Sequence, residues 1–99
     1  MRILVYHPAA QAELEAEVAH CERERKGAGE HVRADISESL AMLRRFPGLG
    51  RRGEGGVRRI VTNRYHYILH YEAVADQVVV WAVADPAREP GYWRSRRSS

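Results

Sequence analysis

The sequence predicts an α+β fold: an N-terminal strand, an antiparallel helical hairpin, and an antiparallel sheet with the hairpin on one face. Three observations lead there. Residues 2–6, RILVY, are apolar and β-branched and stop before Pro8. Two stretches then carry apolar residues at helical spacing, joined by only a few residues. Three runs rich in β-branched and aromatic residues follow in quick succession between residues 56 and 84. Strands grouped with strands and helices with helices indicate an α+β layout.

The first helix starts at Pro8, because proline lacks only an N–H that a first turn leaves unbonded anyway. Ala10, Leu14, Val18 and Cys21 form its apolar stripe, Glu13, Glu15, Glu17, Glu22 and Glu24 cover the other faces, and Gly27 or Gly29 ends it. A second helix spans residues 30–46 with the stripe Val32, Ile36, Leu40 and Leu43. Pro47 cannot continue it. The short connection makes the pair an antiparallel hairpin. Residues 51–56, RRGEGG, read as a loop. Strands are expected at Gly56–Thr62, Tyr65–Glu72 and Gln77–Ala84, with Asn63-Arg64 and Val74–Asp76 as hairpin turns. The N-terminal strand must join this sheet, since a lone strand is unstable. The sheet face away from the helices is expected to stay partly open.

The 99 residues and 11.3 kDa fit a single domain, 1–94, followed by a frayed basic tail, 95–99. One cysteine, Cys21, excludes an intrachain disulfide framework and a Cys-rich zinc site. There is no bilayer-length apolar run and no signal peptide, so a cytoplasmic location without a membrane is expected. Charge is more informative. Residues 1–50 hold seven basic and eight acidic residues and residues 51–99 hold nine and five, so the basic excess lies in the C-terminal half. Every basic residue except Lys26 is Arg. Arginine clusters suit phosphate and carboxylate recognition.

Strand alternation sorts the candidate residues. Arg59 shares a face with Val57 and Val61, and Arg58 with Ile60 and Thr62. Tyr65, Tyr67, Leu69 and Tyr71 oppose His66, Ile68, His70 and Glu72, and bulk puts the tyrosine set against the helices. His66 and His70 are about 13 Å apart in an extended strand and cannot share one metal ion. No helical HxxxH or HExxH, P-loop, GxGxxG or GxSxG occurs, so no metal and no cofactor is expected. Tyr92 and Trp93 lie among Arg88, Arg94, Arg96 and Arg97. Interleaved aromatics and arginines can stack on RNA. The more economical reading is that Tyr-Trp pins the tail to the sheet.

Four segments carry a resemblance: HPAAQAELEAEV (7–18), FPGLGRRGEGGVRRI (46–60), RYHYILHYE (64–72) and VVVWAVADPAREPGYWRSR (78–96). In this order they resemble the RelE/ParE toxin superfamily over nearly the whole chain. The resemblance implies two N-terminal helices on a small twisted antiparallel sheet. It also implies the toxin half of a bacterial type II toxin–antitoxin pair, neutralised by a cognate antitoxin in a hetero-oligomer. Strand addition to the sheet and an amphipathic helix on the hairpin are the docking modes it suggests.

The superfamily divides in function. RelE-like members cleave mRNA on the ribosome, which needs cationic groups at the developing charge and a proton donor or acceptor. Arg58 and Tyr92 fall at matching positions, but Ile60, Ile68 and Pro86 stand where basic groups belong and Arg88 lies two residues late. Each missing charge-stabilising group can cost ~10²–10³ in rate. The resemblance therefore implies a ParE-like inhibitor of DNA gyrase, with Arg58, Arg59, Arg64, Arg88, Tyr92, Trp93 and Arg94 as target-binding residues. The alternatives are a ribosome-dependent mRNA endoribonuclease with Arg58, His66, Arg88 and Tyr92 at the scissile phosphate and His66 as base, or a degenerate toxin that only binds antitoxin.

Overall fold

The computed structural model describes residues 1–98 and contains one five-stranded sheet with two helices against it. Strand β1 (Ile3–Tyr6) leads into helix α1 (Pro8–Glu24) and then helix α2 (Ala28–Arg45). Strands β2 (Arg51–Arg52), β3 (Arg58–Val61), β4 (Ile68–Val74) and β5 (Gln77–Ala84) complete the order β1-β5-β4-β3-β2. The sheet is mixed rather than antiparallel throughout: β1 runs parallel to β5, with Ile3 beside Gln77 and Tyr6 beside Val80. The hairpin between β1 and the rest of the sheet is the crossover that a parallel pair needs.

The helical hairpin follows the sequence closely. His7 caps α1, its Nδ1 accepting the Ala9 N–H at 3.1 Å, and Pro8 occupies the first turn. The stripes Ala10, Leu14, Val18, Cys21 and Val32, Ile36, Leu40, Leu43 all enter the main core. The Glu22 carboxylate accepts the N–H groups of Gly27 and Gly29 at 3.0–3.1 Å and so ties the end of α1 to the start of α2. A Cβ on Gly29 would stand 2.8 Å from the Val18 carbonyl oxygen, so glycine is what lets the helices approach there.

Across the sheet, Tyr67, Leu69 and Tyr71 of the β4 region and Val78, Val80 and Val83 of β5 meet this hairpin, as bulk predicts. The register shifts between His70 and Tyr71: His70 pairs Ala82 while Tyr71 pairs Val80. Such a bulge changes which side chains face the core along β5. Val78 and Val80 precede it in the main core, and Val83 rejoins that core after it, while Ala82 packs on the other face.

The loops hold the departures from expectation. Strand β4 begins three residues later than expected because Asp35, buried on α2, captures the Arg64 and Tyr65 N–H groups at 3.0 and 2.9 Å. His66 then takes φ 60°, and Thr62 Oγ1 accepts the Tyr67 N–H, so the turn is longer than the two residues Asn63-Arg64. Part of the expected loop 51–56 pairs instead, Arg51 opposite Arg59 and Arg52 opposite Arg58. Tyr71 positions that segment. Its hydroxyl donates to the Pro47 carbonyl at 2.7 Å and accepts the Gly50 N–H at 2.8 Å. A Cβ on Gly50 would fall 2.6 Å from that hydroxyl.

The face opposite the helices is not open. Trp93 lies on it, 6% exposed, packed with Val57 and Ala82, with Trp81 and Tyr92 alongside. The stretch expected to fray forms a 3-10 turn at Arg94–Ser98, and Ser99 lies outside the described residues.

Tyr71→Phe keeps the ring and strands two buried polar groups. Its expected cost is about 1–3 kcal/mol, measured by urea denaturation, with the largest loss of amide protection at Gly50.

Candidate functional site

The tail-covered face gathers most of the charged chemistry. Glu13 projects from α1 to the part of the β5 edge that lies beyond the β1 pairing, where its Oε1 accepts the Val83 N–H at 3.0 Å. The tail meets the same carboxylate. The Arg96 guanidinium grips both oxygens at 2.9 Å, and the Tyr92 hydroxyl donates to Oε2 at 2.8 Å. Arg96 also donates to the Trp81 carbonyl at 2.9 Å. The side chains of Arg96 and Glu13 are only 16% and 18% exposed, so solvent screens this bidentate pair less than a surface pair.

Electrostatics follow from that geometry. Burial alone would raise the Glu13 carboxyl, but Arg96, the Tyr92 hydroxyl and the Val83 N–H together hold it below the usual range. Burial and the adjacent Glu13 carboxylate push the Tyr92 hydroxyl well above the ordinary tyrosine value. Two guanidinium groups pack on the Tyr92 ring, Arg88 at 3.9 Å and Arg96 at 5.0 Å from its centroid. Two further tail arginines meet carboxylates: Arg94 pairs Glu54 at 2.9 Å, and Arg97 pairs Glu72 at 3.1 Å. Glu72 also accepts from Trp81 Nε1 at 3.1 Å.

Beside this clasp, Val57, Arg59, His70, Trp93 and Arg94 line a cleft of about 200 Å³. The His70 and Trp93 rings stack at 5.2 Å between centroids. Burial lowers the His70 imidazole to about 4, and the nearby Arg59 adds to the effect.

The expected site residues are therefore divided among several places. Arg88 and Tyr92 meet at Glu13. Arg58, Arg59, Trp93 and Arg94 line the cleft. Arg58 donates to the Gly50 carbonyl at 2.9 Å. Arg64 and His66 sit in the exposed β3–β4 turn, Arg64 over the Tyr65 ring. Sequence reasoning missed Glu13, read as a solvated helix position, and Asp35, because a carboxylate on a helix gives no sign of the backbone it will meet. Among the described residues, no group of three or more His, Cys, Asp or Glu is placed to hold a metal, and no helix is long and apolar enough to cross a membrane.

His70 generates a pH prediction. An unfolded chain binds a proton on His70 near pH 6.5, whereas the folded chain does not until about 4. Stability is thus retained above the unfolded value and lost as pH falls through this window. Denaturation midpoints measured across the window should fall for the wild type, and His70→Gln should flatten the slope. The lowered carboxyl of Glu13 adds to the loss at the acid end of this window, from about its ordinary value of 4.5 downward, and that of Asp35 from about 3.8 downward.

Comparison with known proteins follows this geometry. The family described as "ParE toxin of type II toxin-antitoxin system, parDE" matches residues 4–90. No curated protein matches the chain. Among solved structures, the "chromosomal ParDE TA system from P. aeruginosa" aligns with a TM-score of 0.68 at 22% identity, covering 85% of this chain and 95% of that one. At that identity the likeness concerns the fold.

Proposed function

The chain belongs to the ParE toxin family of type II toxin–antitoxin systems, and from this premise we propose that it acts by binding, inhibiting DNA gyrase in the bacterial cytoplasm until a cognate antitoxin neutralises it. The observation that carries binding over RNA cleavage is the state of Tyr92. Its hydroxyl donates to Glu13 and is pushed upward in pKa, so it is poorly placed to exchange a proton with a substrate near neutral pH. Of the other cleavage candidates, Arg88 packs on the Tyr92 ring, whereas Arg58 is on the Gly50 carbonyl and His66 sits in the β3–β4 turn. The exposed arginines Arg59, Arg64 and Arg88 are the target-facing groups in this reading, with Arg94 beside them.

In this reading the antitoxin docks along the edge of β3. Beyond Arg59 the outer edge of β3 has no strand partner among the described residues, since β2 pairs only Arg58 and Arg59. Next to it Met42, Leu49, Ile60 and Val61 line an apolar groove of about 500 Å³. An extended segment can add to such an edge while seating apolar side chains in the groove.

Induction of the chain alone in a bacterium should depress thymidine incorporation before amino-acid incorporation, and the purified protein should block gyrase supercoiling of relaxed plasmid. Early collapse of translation with supercoiling intact overturns the proposal in favour of mRNA cleavage. Tyr92→Phe should keep gyrase inhibition while losing about 1 kcal/mol of stability, or roughly 4–8 °C in Tm. A nuclease using that hydroxyl would lose its toxicity instead.

A further inference from the structure

The cleft beside Trp93 borders a buried donor that the fold leaves unused. The Trp93 indole Nε1–H is buried and has no acceptor among the described residues. His70, 9% exposed, makes a ring contact with Trp93 and no hydrogen bond among those residues. Natural folds rarely leave buried donors unpaired, and those they leave call for an explanation.

The adjoining ladder points the same way. Its two rungs set Arg51 opposite Arg59 and Arg52 opposite Arg58. Like charges directly opposite each other work against strand pairing. Arg58 is relieved by the Gly50 carbonyl, whereas Arg51, Arg52 and Arg59 have no ion pair among the described residues. Arg59 stands directly opposite His70 and lines the cleft. One acidic residue, Glu54, balances Arg94 at this site. Of these unpaired arginines, Arg59 lines the same cleft as Trp93.

We propose that this cleft is a carboxylate-recognition site: an Asp or Glu side chain of an acidic partner polypeptide enters between Arg59 and Trp93. The inference rests on the reading of this chain as a protein-binding toxin and specifies the chemistry of one contact. A guanidinium fork and a single N–H suit the two coplanar oxygens of a carboxylate. A single-stranded nucleic acid fits less well. It is held by stacking on open aromatic faces, and here the Trp93 and His70 rings are stacked on each other and buried. The space of about 200 Å³ admits one side chain and no extended ligand.

The test is a titration of the full ¹⁵N-labelled chain at low salt with an acetylated, amidated tri-glutamate peptide. A tri-glutamine peptide and a short oligothymidylate are run in parallel. The expected result is a saturable shift of the Trp93 indole N–H with the glutamate peptide alone, while the Trp81 indole, already held by Glu72, stays still. Arg59 is exposed and replaceable without loss of core, so Arg59→Gln should keep the spectrum of a folded chain and weaken binding about tenfold. An equal shift with tri-glutamine, tighter binding of the oligothymidylate at these residues, unchanged affinity in Arg59→Gln, or no shift at all overturns the proposal. The gyrase assay is read on the wild-type chain without the peptide, so either reading can fail while the other stands.

Discussion

A five-stranded sheet in a chain of 99 residues has two faces to cover, and the two helices reach only one. The second face is closed by the C-terminal segment, and much of the remaining architecture follows from how that segment is held. Trp93 supplies apolar area over Val57 and Ala82. A single side chain of that size cannot fix a segment rich in arginine, because each guanidinium brought near the sheet loses hydration. The compensation is one carboxylate for each of three arginines: Glu54 for Arg94, Glu13 for Arg96 and Glu72 for Arg97. Glu13 matters most among them, since it also closes the free β5 edge at Val83 and receives the Tyr92 hydroxyl.

This closure separates the molecule into two chemically different sides. One side offers an apolar groove and an unpaired strand edge along α2 and β3, where main-chain hydrogen bonds and apolar side chains can attach a partner segment. The other is a closed face whose tail arginines are neutralised internally, bordered by a ladder whose arginines are not. The proposed function, which gives the chain two protein partners, has a use for two surfaces that recognise different chemistry. The internal pairing of the tail supports the proposed binding role over RNA cleavage. Charge that is already satisfied by Glu13 and Glu72 is less free to stabilise a transition state.

The sequence was informative wherever a pattern is local. Both helices and their stripes, the tyrosine-bearing core face of β4, the full extent of β5 and the Tyr-Trp anchor could be read from periodicity and bulk. The misreadings share one cause. The late start of β4 depends on Asp35, 30 residues before Tyr65, and the pairing of Arg51 and Arg52 depends on Tyr71, which lies 21 residues beyond Gly50. The parallel placement of β1 has the same origin, because a strand's direction relative to a partner more than 70 residues away leaves no trace in its own alternation.

Sequence alone therefore determined the fold class and the balance of charge, because apolar spacing and composition act within a few residues of chain, and four segments in order carried the resemblance to the family. Tertiary structure decided which charges are free. Glu13 on a helix looks like any solvated glutamate, and only the approach of Val83, Tyr92 and Arg96 makes it the clasp of the tail. Likewise Arg59 and Arg96 are the same residue type in the same basic half of the chain, yet one is left facing solvent beside the cleft and the other is bound to Glu13 on both oxygens. The difference lies in the distance to a carboxylate brought from elsewhere in the chain, and Coulomb energy depends on that distance and on the surrounding solvent rather than on the residue's name.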